Sequence, residues 1–387
     1  MKVFVLDITN RNAEQYNPSL CKELAVVLNN TGSVTLLSTN MYGRPEGFLF
    51  KKLIKLVPVA IDSSRSKLKR LLRALEVLLN YIYLFFYILR EKPDILHIQW
   101  LPFIEYTSLE KVFLSAYKKV HPRMCMFLTV HNIYPHNCDE QEKPLYRKRF
   151  LSIDKLFDGY LAHLNSAKVQ LIEEFGISAS KITVAYHGIY VPDVLRKEEI
   201  SVHKKDVVQI IMYGFQTRYK GADILIDAYG LLPKHYQNLI HIVIVGKTDD
   251  SLYNQYIEKA ANLGIEWINK FVPNDVLYEM IYESDAIVLP YREISQSGVL
   301  LLAISYKKCI LTSDLPSFKE TLEGYPDSYF FKKEDPSSLA VYLQDFINGN
   351  INKDLMVKVI EDLNNRYSWH ETALSTIGAY NYGLKMI

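Results

Sequence analysis

Short apolar runs alternate with longer segments of helical period along the whole chain. Each run is rich in β-branched residues and is bounded by polar residues, proline or glycine, which is typical of buried strands. In the first half, strands are predicted at Val3–Asp7, Val34–Leu37, Ile95–Ile98, Cys125–Val130, Gly159–Ala162 and Ile182–Ala185. In the second half, they are predicted at Val207–Tyr213, Ile240–Val245, Ile265–Phe271, Ala286–Leu289, Cys309–Thr312 and Ser328–Phe331. This alternation predicts an α/β protein with two parallel, doubly wound sheets.

The length of the chain also favours two domains. At 387 residues it exceeds the size that one hydrophobic core usually serves. A polar segment that contains Pro192, residues 191–205, separates the two series of strands and is predicted to be a linker. The first domain therefore covers residues 1–190, and the second begins at residue 206.

The two halves carry opposite net charge. Residues 1–190 contain 25 basic and 17 acidic side chains, whereas the remainder contains 20 and 26. Opposite charge suggests different partners for the two domains. The four cysteines lack CxxC spacing, which favours a reducing cytoplasm over a zinc site or a disulfide framework. The N-terminal apolar run is too short for a signal sequence, and no GxGxxG motif for a nicotinamide cofactor occurs.

Two loops in the second half carry residues that suit a diphosphate. The first, Gly214–Gly221, leads from a strand into a helix, and its Arg218 and Lys220 can neutralise a departing diphosphate. The second, Pro290–Gly298, ends in serine and glycine at a helix start, where backbone N–H groups bind anions. Taken alone, the first is equally well explained as a basic surface loop, and the second is better explained as a serine N-cap. Together, on two strands of one sheet, they predict a nucleotide-diphosphate site.

Several segments resemble the GT-B glycosyltransferases, particularly the retaining family 4 and its relatives. In the second half these segments are YGFQTRYKGADILIDA, FVPNDVLYEMIYESDAIVLPYREISQSGVLLLAIS and CILTSDLPSFKETLE. In the first half they are PDILHIQW, FLTVHNIYPHN, FDGYLAHLNSAKVQLIEEFGI and ITVAYHGIY. The tail YSWHETALSTIGAY resembles the helix by which such enzymes cross back to their first domain. The resemblance implies two Rossmann-like domains facing a cleft, with a nucleotide-sugar domain at 206–365 and a crossover helix at 366–387.

The resemblance also assigns roles to residues of the second domain. It makes Arg218 and Lys220 the diphosphate-binding pair, with Gly214 opening their loop. Val272 would lie beside the nucleotide base. The distal phosphate and the sugar would be held by the turn that consists of Ser295, Gln296, Ser297, Gly298 and Val299.

The glutamate pair that usually marks family 4 is absent. Such enzymes carry two glutamates with seven residues between them across this turn and helix, where this chain has Ser295 and Ala303. Glu293 is a candidate for the first carboxylate from a shifted position, and it is equally well explained as an ordinary loop residue. Retention at the anomeric carbon is favoured over inversion, but the missing pair leaves both courses open.

Candidate acceptor residues follow strands of the first half. His131 and Asn132 come directly after a predicted strand, and His131 matches a histidine that faces the donor sugar in the family. A neutral imidazole can take a hydroxyl proton, so His131 is predicted to be catalytic together with Glu293. His136, in the same stretch, is equally well explained as a loop histidine. The remaining candidates for the acceptor side of the cleft are Asn17, His187 and Gly188.

The segment from Lys51 to Arg90 joins basic residues to an apolar run. Its first part carries eight basic residues against Asp62 alone, and the aromatic-rich stretch Val77–Leu89 follows. This run of about 14 residues is shorter than the ~20 needed to span a membrane, and Asn80 interrupts it. We predict peripheral binding to an anionic membrane surface, with part of the stretch buried as an ordinary helix of the first domain.

Together these observations predict a hexosyltransferase that uses a UDP- or GDP-linked sugar and a lipid-linked oligosaccharide or polysaccharide acceptor, in capsule, exopolysaccharide or lipopolysaccharide assembly. We expect it on the inner face of the cytoplasmic membrane, without metal or other cofactor, since Asp249 and Asp250 are better explained as a helix cap. No nucleic-acid-binding module is recognised. Two alternatives are a sugar-nucleotide epimerase or phosphorylase of similar fold, and a non-catalytic GT-B partner protein.

Overall fold

The computed structural model describes residues 1–9, 16–41, 44–56, 67–135, 138–190 and 207–386. The chain divides into two compact units. Unit 1 comprises Met1–Gly188 and Trp369–Ile387, and unit 2 comprises Ile189–Ser368. The predicted linker, residues 191–205, lies outside the described residues.

Unit 1 is built on one parallel sheet. Its strands are β1 (Lys2–Asp7), β2 (Ser33–Ser38), β3 (Leu49–Lys52), β4 (Ile95–Ile98), β5 (Cys125–Val130), β6 (Gly159–Ala162) and β7 (Ile182–Val184). Within the described residues their order is β3-β2-β1-β4-β5-β6-β7. The helices between them are α1 (Tyr16–Leu28), α2 (Lys67–Glu91), α3 (Leu109–Val120), α4 (Lys143–Leu151) and α5 (Asn165–Phe175). The order reverses between β1 and β4, and doubly wound sheets bind ligands at such a switch point.

Unit 2 repeats this architecture. Its strands are β8 (Val208–Tyr213), β9 (Ile240–Val245), β10 (Glu266–Ile268), β11 (Ala286–Leu289), β12 (Cys309–Ser313) and β13 (Phe330–Phe331). In the part of the unit that the structure describes, the order is β10-β9-β8-β11-β12-β13, and every pair is parallel. Its helices are α6 (Ala222–Leu231), α7 (Lys234–Gln237), α8 (Asp250–Asn262), α9 (Asn274–Glu283), α10 (Gly298–Ser305), α11 (Pro316–Thr321), α12 (Pro336–Asn348) and α13 (Lys353–Arg366). The switch point lies between β8 and β11.

The last helix, α14 (Trp369–Lys385), returns to unit 1. It packs on α1 and on the strands β5, β6 and β7. Tyr380 is fully buried there, and its hydroxyl lies 2.6 Å from Nδ1 of His97 in β4. Phe127 of β5 packs against the same helix, because its ring lies 5.1 Å from that of Tyr380 and directly faces Gly383. The core of unit 1 therefore includes side chains from both ends of the chain.

The two parallel sheets confirm the predicted α/β class. Strands at Ile95–Ile98, Cys125–Val130 and Ala286–Leu289 have the predicted bounds. The strand predicted at Ile265–Phe271 is shorter, and Ser328 begins no strand but lies in a 3-10 turn. The sequence pattern misses β3, since its four residues, LFKK, are half exposed and end in two lysines. The predicted cap at Asp249 is confirmed, because its carboxylate accepts a 3.1 Å hydrogen bond from the amide of Ser251.

Helix α2 has two different apolar faces. One faces the core of unit 1 through Val77, Tyr81, Leu84 and Ile88, which are all buried. The other is exposed, and it carries Leu68, Leu71, Leu75, Ile82, Phe86 and Leu89. The spacing of three, four or seven residues places this exposed set along one side of the helix, opposite the buried set. We call it the α2 ridge. By length and composition α2 is the one described helix that could cross a membrane, although its other face is packed in a core.

Asn80, which interrupts the apolar run of α2, has a structural role. Its side-chain oxygen accepts a hydrogen bond from the amide of Ile54, and its side-chain nitrogen donates to the carbonyl of the same residue, both at 2.8 Å. These bonds tie α2 to the segment that follows β3. Lys51 of β3 lies over the rings of Tyr83 and Tyr87 on α2, at 6.0 and 5.7 Å from their centroids. The basic strand and the aromatic helix therefore form one surface.

Candidate functional site

Two loops meet at the switch point of unit 2. The loop 214–221 follows β8 and the loop 290–298 follows β11, and these strands are neighbours in the sheet. Each loop leads into a helix, α6 and α10 respectively. The structure thus brings together, inside one unit, the two segments that the sequence predicts to bind a diphosphate.

Lys220 lies at the centre of this arrangement. Its side chain is buried, with 6% of its surface exposed, and Nζ lies 5.7 Å from the centroid of the Tyr291 ring. Among the described residues no acidic group or hydrogen-bond acceptor pairs with Nζ. Burial lowers the pKa of this amine to about 8. Burial makes the charged form of such an amine costly, and an anionic ligand would offset that cost.

Glycines allow the two loops to approach each other. Gly221 has φ +76°, and a Cβ added there would lie 2.0 Å from the carbonyl oxygen of Pro290. Gly246, at the end of β9, has φ +129°, and its Cβ would lie 2.1 Å from the carbonyl oxygen of Gly214. A Cβ on Gly214 would itself lie 2.9 Å from Nζ of Lys220. At Gly221 and Gly246, whose added Cβ would meet backbone atoms, only glycine fits without a shift of the backbone.

An ion pair joins the second loop to α6, the helix that follows the first loop. The guanidinium of Arg292 binds both carboxylate oxygens of Asp223 in the first turn of α6, at 2.9 and 2.6 Å. The Arg292 side chain also donates to the carbonyl of Arg218, and its amide donates to the carbonyl of Tyr219 at 2.7 Å. A bidentate pair of this kind fixes orientation as well as distance. Arg292 therefore positions the segment that carries Arg218 and Lys220.

The second loop ends in a capped helix. Ser297 is the N-cap of α10, and its hydroxyl accepts a 3.1 Å hydrogen bond from the amide of Leu300. The loop before it is held by serines, since Ser313 donates to the carbonyl of Tyr291 at 2.7 Å and Ser317 donates to that of Ile294 at 2.8 Å. The first amides of α10 have no partner within the helix, as at any helix N-terminus, and suit an anion.

The other residues that the sequence predicts to bind the donor differ in exposure. Arg218 and Glu293 are exposed, whereas Ser295, Gln296 and Val299 are half-buried and Gly298 is open to solvent. Val272 is buried in the segment after β10. Glu293 lies on the exposed part of the second loop, so its carboxylate is available to solvent and its predicted catalytic role stays a prediction.

In unit 1, polar residues from the ends of β4, β5 and β6 form a chain of hydrogen bonds around His131. Its Nδ1 lies 3.2 Å from Nε2 of His163, and its Nε2 lies 3.0 Å from the side-chain oxygen of Gln99. The side-chain nitrogen of Gln99 in turn lies 3.2 Å from Nε2 of His97. Burial and the neighbouring imidazoles hold the pKa of His131 well below its ordinary value, so the ring is neutral at pH 7.

The direction of these hydrogen bonds is fixed at one end. Nδ1 of His163 lies 3.0 Å from the carbonyl oxygen of Ala185, which can only accept, so Nδ1 of a neutral His163 carries the proton. Its Nε2 must then accept from Nδ1 of His131. The lone pair of a neutral His131 is consequently on Nε2, and the Gln99 amide group must turn its nitrogen towards it. His131 can act as a base only by exchanging Gln99 for another partner.

The remaining acceptor candidates have structural contacts. The His187 ring lies 4.8 Å from that of Tyr16, and its Nδ1 lies 2.7 Å from the carbonyl of Gly188. A Cβ on Gly188 would lie 2.4 Å from the indole of Trp369 in α14. The buried Asn17 donates a 2.8 Å hydrogen bond to Asp7. Asn132 is half-buried beside His131. His136 lies outside the described residues.

An open pocket lies beside His131 within unit 1. Gln99, Trp100 and Asn132 line it next to His131, whose ring stacks on that of Trp100 with centroids 5.3 Å apart. The rest of the wall is mainly apolar and comes from the segment after β4, from β5 and from α4. We call it the unit 1 pocket.

This architecture is similar to that of known glycosyltransferases. Residues 193–362, less than half of the chain, match the family model described as Glycosyl transferases group 1. Sucrose-phosphate synthase from Thermosynechococcus elongatus superposes over 100% of both chains with a TM-score of 0.71 and 14% identity. A glycosyltransferase from Rickettsia africae ESF-5 superposes with a TM-score of 0.66 and 17% identity, over 99% of this chain and 98% of that one. Anabaena Alr3699/HepE in complex with UDP-glucose superposes with a TM-score of 0.66 and 13% identity, over 98% of this chain and 99% of that one. The fold is GT-B. No curated protein matches the sequence significantly.

Several residues that contact the candidate residues were not predicted from the sequence. His163 and Gln99 directly follow the strands β6 and β4, so the rule that identified His131 applies to them as well. Gly246 follows β9 in the same way. No sequence signal identifies Arg292, because its partner Asp223 lies 69 residues away. Within the described residues, no group of three or more His, Cys, Asp or Glu side chains is placed to hold a metal ion.

Proposed function

We propose that this protein is a hexosyltransferase that moves a hexose from a UDP- or GDP-linked sugar to a lipid-linked oligosaccharide or polysaccharide, in capsule, exopolysaccharide or lipopolysaccharide assembly. The observation that carries the proposal is the buried amine of Lys220, which reaches from one loop to Tyr291 of the other and has no anionic partner among the described residues. The match of this region to group 1 glycosyl transferases supports it. So does the likeness in fold to a protein in complex with UDP-glucose.

The proposed chemistry needs no resident metal. A hydroxyl oxygen of the acceptor forms a bond to the anomeric carbon, and the bond from that carbon to the diphosphate oxygen breaks. The proton of the hydroxyl group passes to the departing nucleoside diphosphate or to a base. Negative charge then develops on the diphosphate. Lys220, Arg218 and the first amides of α10 stabilise that charge. We place the acceptor hydroxyl near His131 and propose retention at the anomeric carbon, as in the family that the sequence resembles.

The donor is identified by thermal shift with UDP-, GDP-, ADP- and dTDP-sugars. A ligand that binds only the folded state, at a concentration of 100 times its Kd, stabilises that state by about 2.7 kcal/mol. We expect one of the UDP- or GDP-sugars to raise the melting temperature of the protein by much more than the other nucleotide sugars do. Transfer of the labelled sugar to a membrane extract, with the anomeric configuration read by NMR, then tests the reaction. Nucleotide binding without transfer or hydrolysis would instead support a non-catalytic GT-B partner.

We further propose that the protein binds the inner face of the cytoplasmic membrane through unit 1. The α2 ridge supports this, since Leu71 and Phe86 are 67% and 64% exposed. Arg70, Arg73 and Arg90 of the same helix are exposed, and basic residues suit anionic headgroups. A helix that exposes both an apolar face and basic residues is typical of peripheral binding in the plane of the interface.

The double variant Leu71→Gln/Phe86→Gln is expected to lose most of its binding to anionic liposomes, because both apolar anchors leave the interface. Co-sedimentation at low and at high salt measures this, and the basic residues should make wild-type binding weaker at high salt. Val341→Gln, at a 58% exposed valine of α12 in unit 2, is the matched control and should sediment like wild type. Equal sedimentation of wild type and the double variant would exclude the ridge as the contact.

A further inference from the structure

The unit 1 pocket has two chemically different parts. Around His131 its wall is polar, with the amides of Gln99 and Asn132. Away from that histidine the wall consists mainly of aliphatic and aromatic side chains, which are Leu101, Ile104, Leu128, Val130, Tyr146 and Phe150. Sugars are recognised by many convergent hydrogen-bonding groups, whereas an apolar wall of this kind favours hydrocarbon.

The apolar wall is held in place by buried contacts. The segment after β4 is anchored by Glu110, whose buried carboxylate accepts the amide of Phe103; burial raises the pKa of this carboxyl to about 7. Arg149 of α4 donates a 2.6 Å hydrogen bond to the carbonyl of Glu105 in the same segment. Tyr146 and Phe150 of α4 pack against Phe175 of α5, and their ring centroids lie 6.4 and 5.2 Å from that of Phe175. The pocket is therefore built into the fold.

The outer side of the pocket wall is basic and apolar. On α4, Tyr146 and Phe150 face inward, while Leu145, Arg147, Lys148 and Leu151 are exposed. On the other side of the pocket, the segment after β4 packs on α2, since the rings of Phe103 and Tyr81 lie 6.3 Å apart. The helix that forms one wall of the pocket, α4, thus carries exposed leucines and basic residues on its outer face, and such a surface suits an anionic amphiphile.

We propose that the unit 1 pocket binds the hydrocarbon chain of an amphiphilic acceptor and that the acceptor hydroxyl lies at its polar part, beside His131 and Asn132. This inference rests on the proposed glycosyl transfer to a lipid-linked acceptor. The basic outer face of α4, with Arg147 and Lys148, attracts the anionic part of the same molecule. A soluble sugar acceptor would leave the apolar wall of the pocket exposed to water. The hydrocarbon chain of an amphiphilic acceptor removes this apolar surface from water.

Isothermal titration of the full chain with hexyl, octyl and decyl β-glucosides, each below its micelle concentration, tests the proposal. Each added methylene group is expected to tighten binding roughly fourfold while the chain stays within the pocket. Binding should also show a negative heat-capacity change, the mark of apolar burial. Affinity that does not depend on chain length would overturn the proposal.

A matched pair of variants locates the chain. Leu101→Trp fills the pocket and should abolish the chain-length dependence, whereas Leu145→Trp makes the same change on the outer side of α4 and should keep it. A chain-length dependence that survives in Leu101→Trp would contradict the assignment. Because that variant could fold poorly, quenching offers a second measurement. A bromine on the alkyl carbon next to the sugar should quench wild-type fluorescence, since Trp100 lies beside the polar part of the pocket, and Trp100→Phe should remove that quenching.

Donor binding separates this inference from the proposed function. Leu101 belongs to unit 1 and the donor loops belong to unit 2, so Leu101→Trp should keep its thermal shift with the nucleotide sugar. Chain-length-dependent binding in a protein that binds no nucleotide sugar would overturn the acceptor role and the proposed function together. Donor turnover without chain-length-dependent binding would overturn only the pocket assignment.

Discussion

Replacing Lys220 with methionine is expected to lower donor kcat/KM by about two to three orders of magnitude. The methionine keeps the apolar stem in its buried site and removes the charge that stabilises the diphosphate in the proposed mechanism. Loss of a single preorganised stabilising group in a water-excluded site costs about 10²–10³ in rate. Initial rates of sugar transfer, or of donor hydrolysis where the acceptor is unknown, measure the effect.

The same residue predicts how donor binding depends on pH. In the free protein, burial lowers the pKa of Lys220 to about 8. The anionic donor prefers the charged amine, so bound donor raises that pKa. Affinity is then constant below pH 8 and falls up to tenfold per pH unit above it, with proton uptake on binding. Calorimetry at pH 7 and pH 9, in two buffers of different ionisation enthalpy, detects both effects.

Two results would contradict this role for Lys220. One is a kcat/KM within about twofold of wild type in Lys220→Met. The other is a loss of equal size in Lys234→Met, which removes an exposed lysine from α7 in the same unit. The decline in affinity above pH 8 should also be absent from Lys220→Met, because methionine does not titrate.

Gly221→Ala is expected to separate the two donor loops and to destabilise the protein. The added Cβ would lie 2.0 Å from the carbonyl oxygen of Pro290, so one of the loops must move. The left-handed backbone conformation itself costs roughly 1–2 kcal/mol for alanine, and overpacking adds about 1–3 kcal/mol. Urea denaturation measures the loss of stability. The same variant should bind the nucleotide sugar weakly, because Lys220 and the loop 290–298 no longer meet.

Gly264→Ala is the matched control for this variant. Gly264 has φ +77° against +76° for Gly221, but a Cβ there would meet no atom within 4 Å. It should therefore show only the backbone cost and keep normal donor binding. If both variants lose the same stability and keep the same affinity, the contact between Gly221 and Pro290 does not organise the site.

The sequence predicts the strands and the donor loops better than the links between them. Strands such as Ala286–Leu289 are buried on both faces, and their continuous apolar runs stand out from the flanking turns. The loop 214–221 is identified because phosphate chemistry needs glycine and basic residues close together in the chain. Local composition therefore carries both predictions.

Contacts between distant residues leave no such local signal. The pairing of Arg292 with Asp223, and of His97 with Tyr380, joins segments 69 and 283 residues apart. Each side chain is unremarkable in its own segment. The orientation of His131 likewise depends on His163 and Gln99, which only the sheet brings to its side. The sequence identifies His131 as a candidate, and the fold determines which of its nitrogens holds the proton.

The return of α14 to unit 1 has a consequence for synthesis of the chain. Residues of this helix are made after all of unit 2, yet they cover Phe127 and bury Tyr380 against His97. On the ribosome, the unit translated first is thus completed last, after its neighbour has had time to fold. During that interval the surface around Phe127 stays open to water, and transiently exposed apolar surface of this kind favours misassembly of a nascent chain.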